Sequence, residues 1–168
     1  MKPIIIFGSS KSRGETWNAV QSFKRDLDIP IVELSRLNIS FFDYEHLNQG
    51  DDYIPLMERI LEHDPIILAT PVYWYTMSAQ MKVFIDRLSD CLAIRKDIGR
   101  KLKGKKMYVI TTFGTSMPEA FEDAFRQTCD YMEMSYQGCL YYYTGDDSLS
   151  RSENELKIVA FSKKVFEQ

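Results

Sequence analysis

Residues 8–16, Gly-Ser-Ser-Lys-Ser-Arg-Gly-Glu-Thr, gather hydroxyls and positive charge between Gly8 and Thr16. Ser9, Ser10, Ser12 and Thr16 offer hydroxyl donors, and Lys11 and Arg13 offer cations. The run before them, Ile4-Ile5-Ile6-Phe7, suits a strand buried on both faces, and a helix is expected to begin at Glu15 or Thr16. A strand, a Gly/Ser loop and a helix start together make an anion site. The first-turn N–H groups have no partner within the helix, and the helix dipole favours negative charge there. The ligand class this implies is a phosphate; the competing reading is a loop that only turns the chain into a capped helix.

Two common nucleotide loops do not fit. A P-loop carries Lys after its second glycine, whereas Gly14 is followed by Glu15. The dinucleotide fingerprint needs Gly-x-Gly-x-x-Gly, and Gly8 is followed by Ser9, Ser10 and Lys11. A mononucleotide or a single phosphate monoester remains. A second stretch, Thr70-Pro71-Val72-Tyr73-Trp74-Tyr75-Thr76-Met77, sets three aromatic residues in a row. Consecutive side chains cannot all face inward, so at least one ring is expected to be exposed to a flat partner or a second subunit. A third, Thr112-Phe113-Gly114-Thr115, is small and polar apart from its one ring, with Gly114 open to close backbone approach.

Alternating strand and helix signals must position these stretches. Strands are expected at Lys2–Phe7, Ile29–Leu34, Asp64–Pro71, Met107–Phe113 and Ser135–Thr144. Helices are expected at Thr16–Asp26, Ile54–His63, Met77–Ala93, from Pro118 to Met134, and Ser150–Glu167, the last capped by Ser150 or Ser152. Ser35–Tyr53 reads as an irregular connection and Gly99–Lys106 as a basic solvated loop. Five strands separated by helices imply an α/β fold, a parallel sheet covered on both faces in the order 2-1-3-4-5. Ligands of such sheets sit at the carboxyl ends of the strands, where the order reverses. The loops after Phe7, Thr70 and Thr112 all meet there.

The 168 residues are expected to form one domain, with 45% apolar and 27% charged residues as in soluble globular proteins. A net charge of −3 offers no basic face for nucleic acid. It also argues against a strongly acidic electron carrier that docks on basic partners. No apolar run is long enough to span a membrane. Cys91, Cys129 and Cys139 form no Cys-x-x-Cys pair, so neither a disulfide framework nor a thiolate metal site is read, and a reducing cytoplasm is expected. Cys91 reads as a small core residue, Tyr141–Tyr143 as strand residues, and His46 and His63 as surface residues.

The sequence resembles the flavodoxin-like, NAD(P)H-dependent FMN reductases, which include quinone reductases. Gly8-Ser9-Ser10-Lys11-Ser12-Arg13-Gly14-Glu15-Thr16 corresponds to that family's phosphate loop, and Pro71-Val72-Tyr73-Trp74-Tyr75, continuing into Met77, Lys82, Phe84, Asp86 and Arg87, to its second motif. The resemblance runs from residue 1 to about 145, and the clustered cysteines of the iron–sulfur branch are missing between the second and third strands. It implies FMN as cofactor, NAD(P)H as co-substrate and a small acceptor: a quinone, a flavin, an azo or a nitro compound. It implies that Ser9, Lys11, Arg13, Gly14, Glu15 and Thr16 surround the FMN phosphate. Pro71, Val72, Tyr73, Trp74 and Tyr75 would line the ring, and Thr112, Phe113, Gly114 and Thr115 would bound its other edge. No side chain is assigned as acid or base, and no metal ligand is expected. Ser10 and Lys11 stand where the family has proline and arginine, and Glu15 brings a carboxylate close to the phosphate. The family also implies a homodimer paired through the helix after the aromatic run. The alternatives are a flavodoxin-type carrier and a cofactor-free binding module.

Overall fold

Ile4 and Ile6 pack on one face of the sheet, Ile5 and Phe7 on the other, and all four are buried. That two-sided burial is why the strands read as continuous apolar runs instead of alternating ones. In this computed structural model, residues 1–145 and 148–167 are described, without the side chains of 148–150. The strands β1 (Ile4–Phe7), β2 (Ile31–Glu33), β3 (Ile66–Pro71), β4 (Lys106–Phe113) and β5 (Ser135–Tyr143) form one parallel sheet. Their order is β2-β1-β3-β4-β5, as expected from the alternating elements. The register pairs Ile6 with Val32 and Leu68, and Thr70 with Thr111, which brings the carboxyl ends of β1, β3 and β4 side by side.

Helices α1 (Glu15–Lys24) and α7 (Ser148–Phe166) cover one face through Ala19, Val20, Phe23, Ile158, Phe161 and Val165. On the other face lie α2 (Tyr53–Leu61), α3 (Ala79–Asp86), α4 (Leu88–Ala93), α5 (Lys96–Leu102) and α6 (Asp123–Tyr131). Cys91 is buried in the core of this face, as its position on the apolar stripe implied.

Four elements differ from their expected form. The helix expected over Met77–Ala93 is two helices, with Arg87 at ψ −9° closing α3 and opening α4. The segment read as a basic loop is half helix. Ile98 and Leu102, four apart and both buried, fasten α5 to the core beneath its surface cations. It packs closely there: a Cβ at Gly99 would lie 2.3 Å from the Cys91 carbonyl oxygen, so only glycine fits. Pro118 does not open a helix. Ala120 sits at φ 55° and α6 begins only at Asp123. Finally, α7 starts at Ser148, which puts Ser152 inside the helix; the Ser150 side chain lies outside the described residues.

The histidines are a further correction. Neither is fully exposed, and the His46 ring nitrogen Nδ1 lies 2.9 Å from Asp90 Oδ1. That bond joins His46 to a buried charge cluster centred on Arg87, which is 0% exposed. Arg87 donates from Nε to Asp90 at 2.6 Å, from Nη1 to Asp51 and to the Ser40 carbonyl, and its guanidinium lies 4.7 Å above the Tyr53 ring. Asp51 also accepts the Ser40 and Tyr53 backbone N–H groups. The cluster fastens the connection between β2 and α2 to the break between α3 and α4.

Candidate functional site

Each of the three converging loops is tied to the next strand. Gly8 N–H donates to the Ala69 carbonyl at 2.8 Å, and Ser78 Oγ donates to the Gly8 carbonyl at 2.8 Å. Val72 N–H donates to the Thr112 carbonyl at 2.9 Å, and Thr144 N–H to the Phe113 carbonyl at 3.0 Å. Gly8 passes so near α3 that a Cβ would sit 3.1 Å from the Met81 nitrogen. Ser78 explains that closeness: it caps α3 by accepting the Met81 N–H while holding Gly8.

Between these loops lies a pocket of 260 Å³ lined by Ser9, Lys11, Gly14, Glu15, Thr16, Pro71, Val72, Tyr73, Thr112, Phe113, Gly114 and Thr144. Eleven of these residues are among those singled out from the sequence. Thr144 was missed; it ends β5 as Gly114 ends β4, and its Oγ1 would lie 3.2 Å from a Cβ on Gly114. The pocket floor includes buried Ser9 and Thr16, and Thr16 Oγ1 lies 2.7 Å from Thr112 Oγ1, which joins the first loop to the third. Helix α1 opens at Gly14 in extended conformation, and no side chain caps it.

Arg13, Trp74, Tyr75 and Thr115 lie outside this lining. Arg13 turns away: its guanidinium stacks 3.8 Å over the Trp17 ring and donates to Glu33 at 3.2 Å. Glu33, nearly buried at the end of β2, also holds Arg36 at 3.1 Å. Lys11 is therefore the unshared cation of the lining. Its side chain folds over Gly14, where a Cβ would meet Lys11 Cδ at 3.1 Å. Thr115 is exposed beyond the rim. Glu15 is exposed as the first residue of α1 and lines the pocket.

These features fit a phosphate monoester. An uncapped helix start presents backbone donors, Ser9 and Thr16 supply hydroxyls, Lys11 supplies charge, and at Gly14 and Gly114 any side chain would fill the cradle. The lining contains no His, Cys or Asp, so it offers no obvious metal ligand set. Its one carboxylate, Glu15, opposes an anion. Glu15→Asn is expected to tighten phosphate-ligand binding by about 1 kcal/mol, the scale of a partly exposed like-charge contact. A fluorescence titration of the ligand-free protein measures it; unchanged affinity would show that the carboxylate stays in solvent.

Comparison with known proteins gives this geometry a context. Residues 1–147 match the family model described as NADPH-dependent FMN reductase. A putative NAD(P)H-dependent FMN-containing oxidoreductase, YwqN of Bacillus subtilis, is 31% identical over 153 residues, covering 82% of each chain. The solved structure titled Trp repressor binding protein from Bacillus subtilis superposes with a TM-score of 0.76 at 25% identity over 99% of both chains. An FMN-dependent NADH-azoreductase from Bacillus anthracis, solved with FMN, shares the fold at a TM-score of 0.73 and 9% identity, over 98% of this chain and 99% of its own. With 147 of its 168 residues inside the family model, and a relative above 30% identity over most of its length, the chain belongs to the NADPH-dependent FMN reductase family.

Proposed function

We propose that this FMN reductase holds its FMN in the pocket between the ends of β1, β3 and β4, and uses it to pass electrons from NAD(P)H to a small acceptor. The observation that carries the placement is the uncapped start of α1 beside buried Ser9 and Thr16, in a lining with one unshared cation. Bound FMN supplies the redox chemistry, accepting hydride from reduced nicotinamide and releasing electrons to the acceptor. The protein's part is positioning. Ser9, Thr16 and the first amides of α1 hold the phosphate, and Lys11 balances its charge. Pro71, Val72 and Tyr73 border one edge of the ring, and Thr112, Phe113 and Gly114 the other. Backbone N–H groups of these loops ease negative charge that develops on the ring. No side chain of the lining is assigned as a general acid or base.

FMN, not FAD, is expected to co-purify, because one phosphate loop is built and no second nucleotide motif accompanies it. Heat release followed by chromatography identifies the flavin. Steady-state oxidation of NADPH and NADH by the yellow protein, against naphthoquinone, free FMN, azo dye and nitroarene, then tests the activity. Predominant FAD, or no oxidation of either nicotinamide, would contradict the reading.

We further propose that the protein works as a homodimer in the cytoplasm. A groove of 440 Å³ runs between α3–α4 and α6, lined by Ile85, Leu88, Leu92, Tyr131 and Met132. Leu92 is 42% and Tyr131 76% exposed, more apolar surface than a helix pair needs when it meets only water. A two-fold partner laid along this groove would cover it. Three free thiols suit a reducing compartment. Among the described residues no helix is long and apolar enough to cross a membrane. Light scattering is expected to give twice the chain mass of 19.6 kDa; a monomer that still turns over NAD(P)H would remove the dimer alone.

A further inference from the structure

Building on the FMN-reductase reading, we propose that Trp74 and Tyr75 form a raised aromatic platform on which the ring of the electron acceptor stacks. The site then favours planar aromatic acceptors, with a quinone ring as the model, over oxidants without a ring. The turn that carries them closes on two hydrogen bonds, from Tyr73 N–H to the Thr76 carbonyl at 2.8 Å and from Thr76 N–H to the Tyr73 carbonyl at 3.1 Å. Its two central residues have positive φ, 47° at Trp74 and 68° at Tyr75. That is the backbone of a type I′ turn, where Asn and Gly are the usual residues.

Bulky aromatic side chains in the left-handed region are strained. Core packing does not offset the strain here, because Trp74 is 91% and Tyr75 70% exposed. The rings therefore meet their partner outside this chain's own core. The base of the turn is fixed on both sides. Val72 is bonded to Thr112, and Ser78 N–H donates to Thr70 Oγ1 at 3.0 Å while its hydroxyl holds Gly8. A short turn on such a base presents its rings with little freedom left to lose on binding, which favours stacking. Position identifies the partner. Tyr73, the first residue of the turn, lines the proposed FMN pocket, so the two rings stand at its rim. The apolar groove proposed for a second copy is lined without either of them. A flat molecule entering the redox pocket passes these rings, and an offset stack suits it.

The test compares wild-type holoenzyme with Trp74→Asn, Tyr75→Gly and the conservative Trp74→Phe, using 1,4-naphthoquinone and ferricyanide as acceptors at saturating NADPH. Asn and Gly suit the turn's backbone, so both variants are expected to fold at least as stably as wild type, read by thermal melting. The naphthoquinone KM is expected to rise about tenfold in Trp74→Asn and Tyr75→Gly with kcat held, the scale of one lost stacking contact. The ferricyanide KM is expected to hold, and Trp74→Phe to recover most of the naphthoquinone effect. Flavin content and oligomeric state are read on the same samples. An unmoved naphthoquinone KM overturns the platform. Lost flavin would show that the rings grip the cofactor, and a monomer that they face a second copy; either also overturns it. A wild-type protein without flavin, or without NADPH oxidation, would overturn the reductase reading and the platform with it.

Discussion

Replacing Arg87 with methionine should lower the unfolding free energy by about 3–5 kcal/mol, the usual cost of removing one partner from a buried ion cluster. Arg87 is wholly buried, and its loss leaves Asp51 and Asp90 facing each other's charge without compensation. Methionine keeps the hydrophobic stem, so the loss reports charge and hydrogen bonding more than volume. Urea denaturation measures it, and a change below about 1 kcal/mol would mean that the cluster does not hold the connection between β2 and α2 in place. The pH dependence has a definite sign. Burial alone would raise the Asp51 carboxyl, but hydrogen bonds from Arg87 and from the Ser40 and Tyr53 amides outweigh it and hold Asp51 below its ordinary value. A depressed carboxyl contributes stability in full above the unfolded value, about pH 4, and loses it as pH falls through the lower folded value. The gap between wild type and Arg87→Met is therefore expected to be full at neutral pH and to narrow below about pH 4.

Thr16→Asp should weaken FMN binding by on the order of 3 kcal/mol, more than a hundredfold in Kd. The substitution puts a carboxylate at a buried position in the first turn of α1, where the phosphate is proposed to sit, and ends the 2.7 Å bond to Thr112. Thr16→Ser keeps the hydroxyl and should stay near wild type. A negative residue early in a helix is otherwise favourable, so folding is expected to survive and the loss to appear as flavin content per folded chain. Full occupancy in Thr16→Asp would move the phosphate elsewhere.

The sheet and the convergence of three loops were legible because the physics behind them is local. A strand covered on both faces has to be apolar at every position, and β1, β3 and most of β4 obey this in the plain text of the chain. The break at Arg87 was not, because its cause is distant: Asp51 lies 36 residues before it in sequence and His46 lies 44 before Asp90. A trace of it was present. Arg87 falls on the apolar stripe of Met81, Phe84 and Cys91, with Asp90 three residues on, and a cation in that place calls for a buried partner. Segment 96–102 was misread because its surface charges outnumber Ile98 and Leu102, the two residues that decide its structure. Arg13 looked like a phosphate ligand by type and position; Glu33 and Trp17, which draw it aside, come from β2 and from the next turn of α1.

The central claim is that the loop between β1 and α1 grips a flavin by its phosphate, and titrating ligand-free protein with FMN and with riboflavin tests it most directly. The two ligands share the ring and the ribityl chain and differ only in the phosphate. If Ser9, Lys11, Thr16 and the uncapped start of α1 bind that group, FMN should bind at least about a hundredfold more tightly than riboflavin, as several charge-assisted hydrogen bonds require. Equal affinities would contradict the account and leave the ring contacts to explain binding alone.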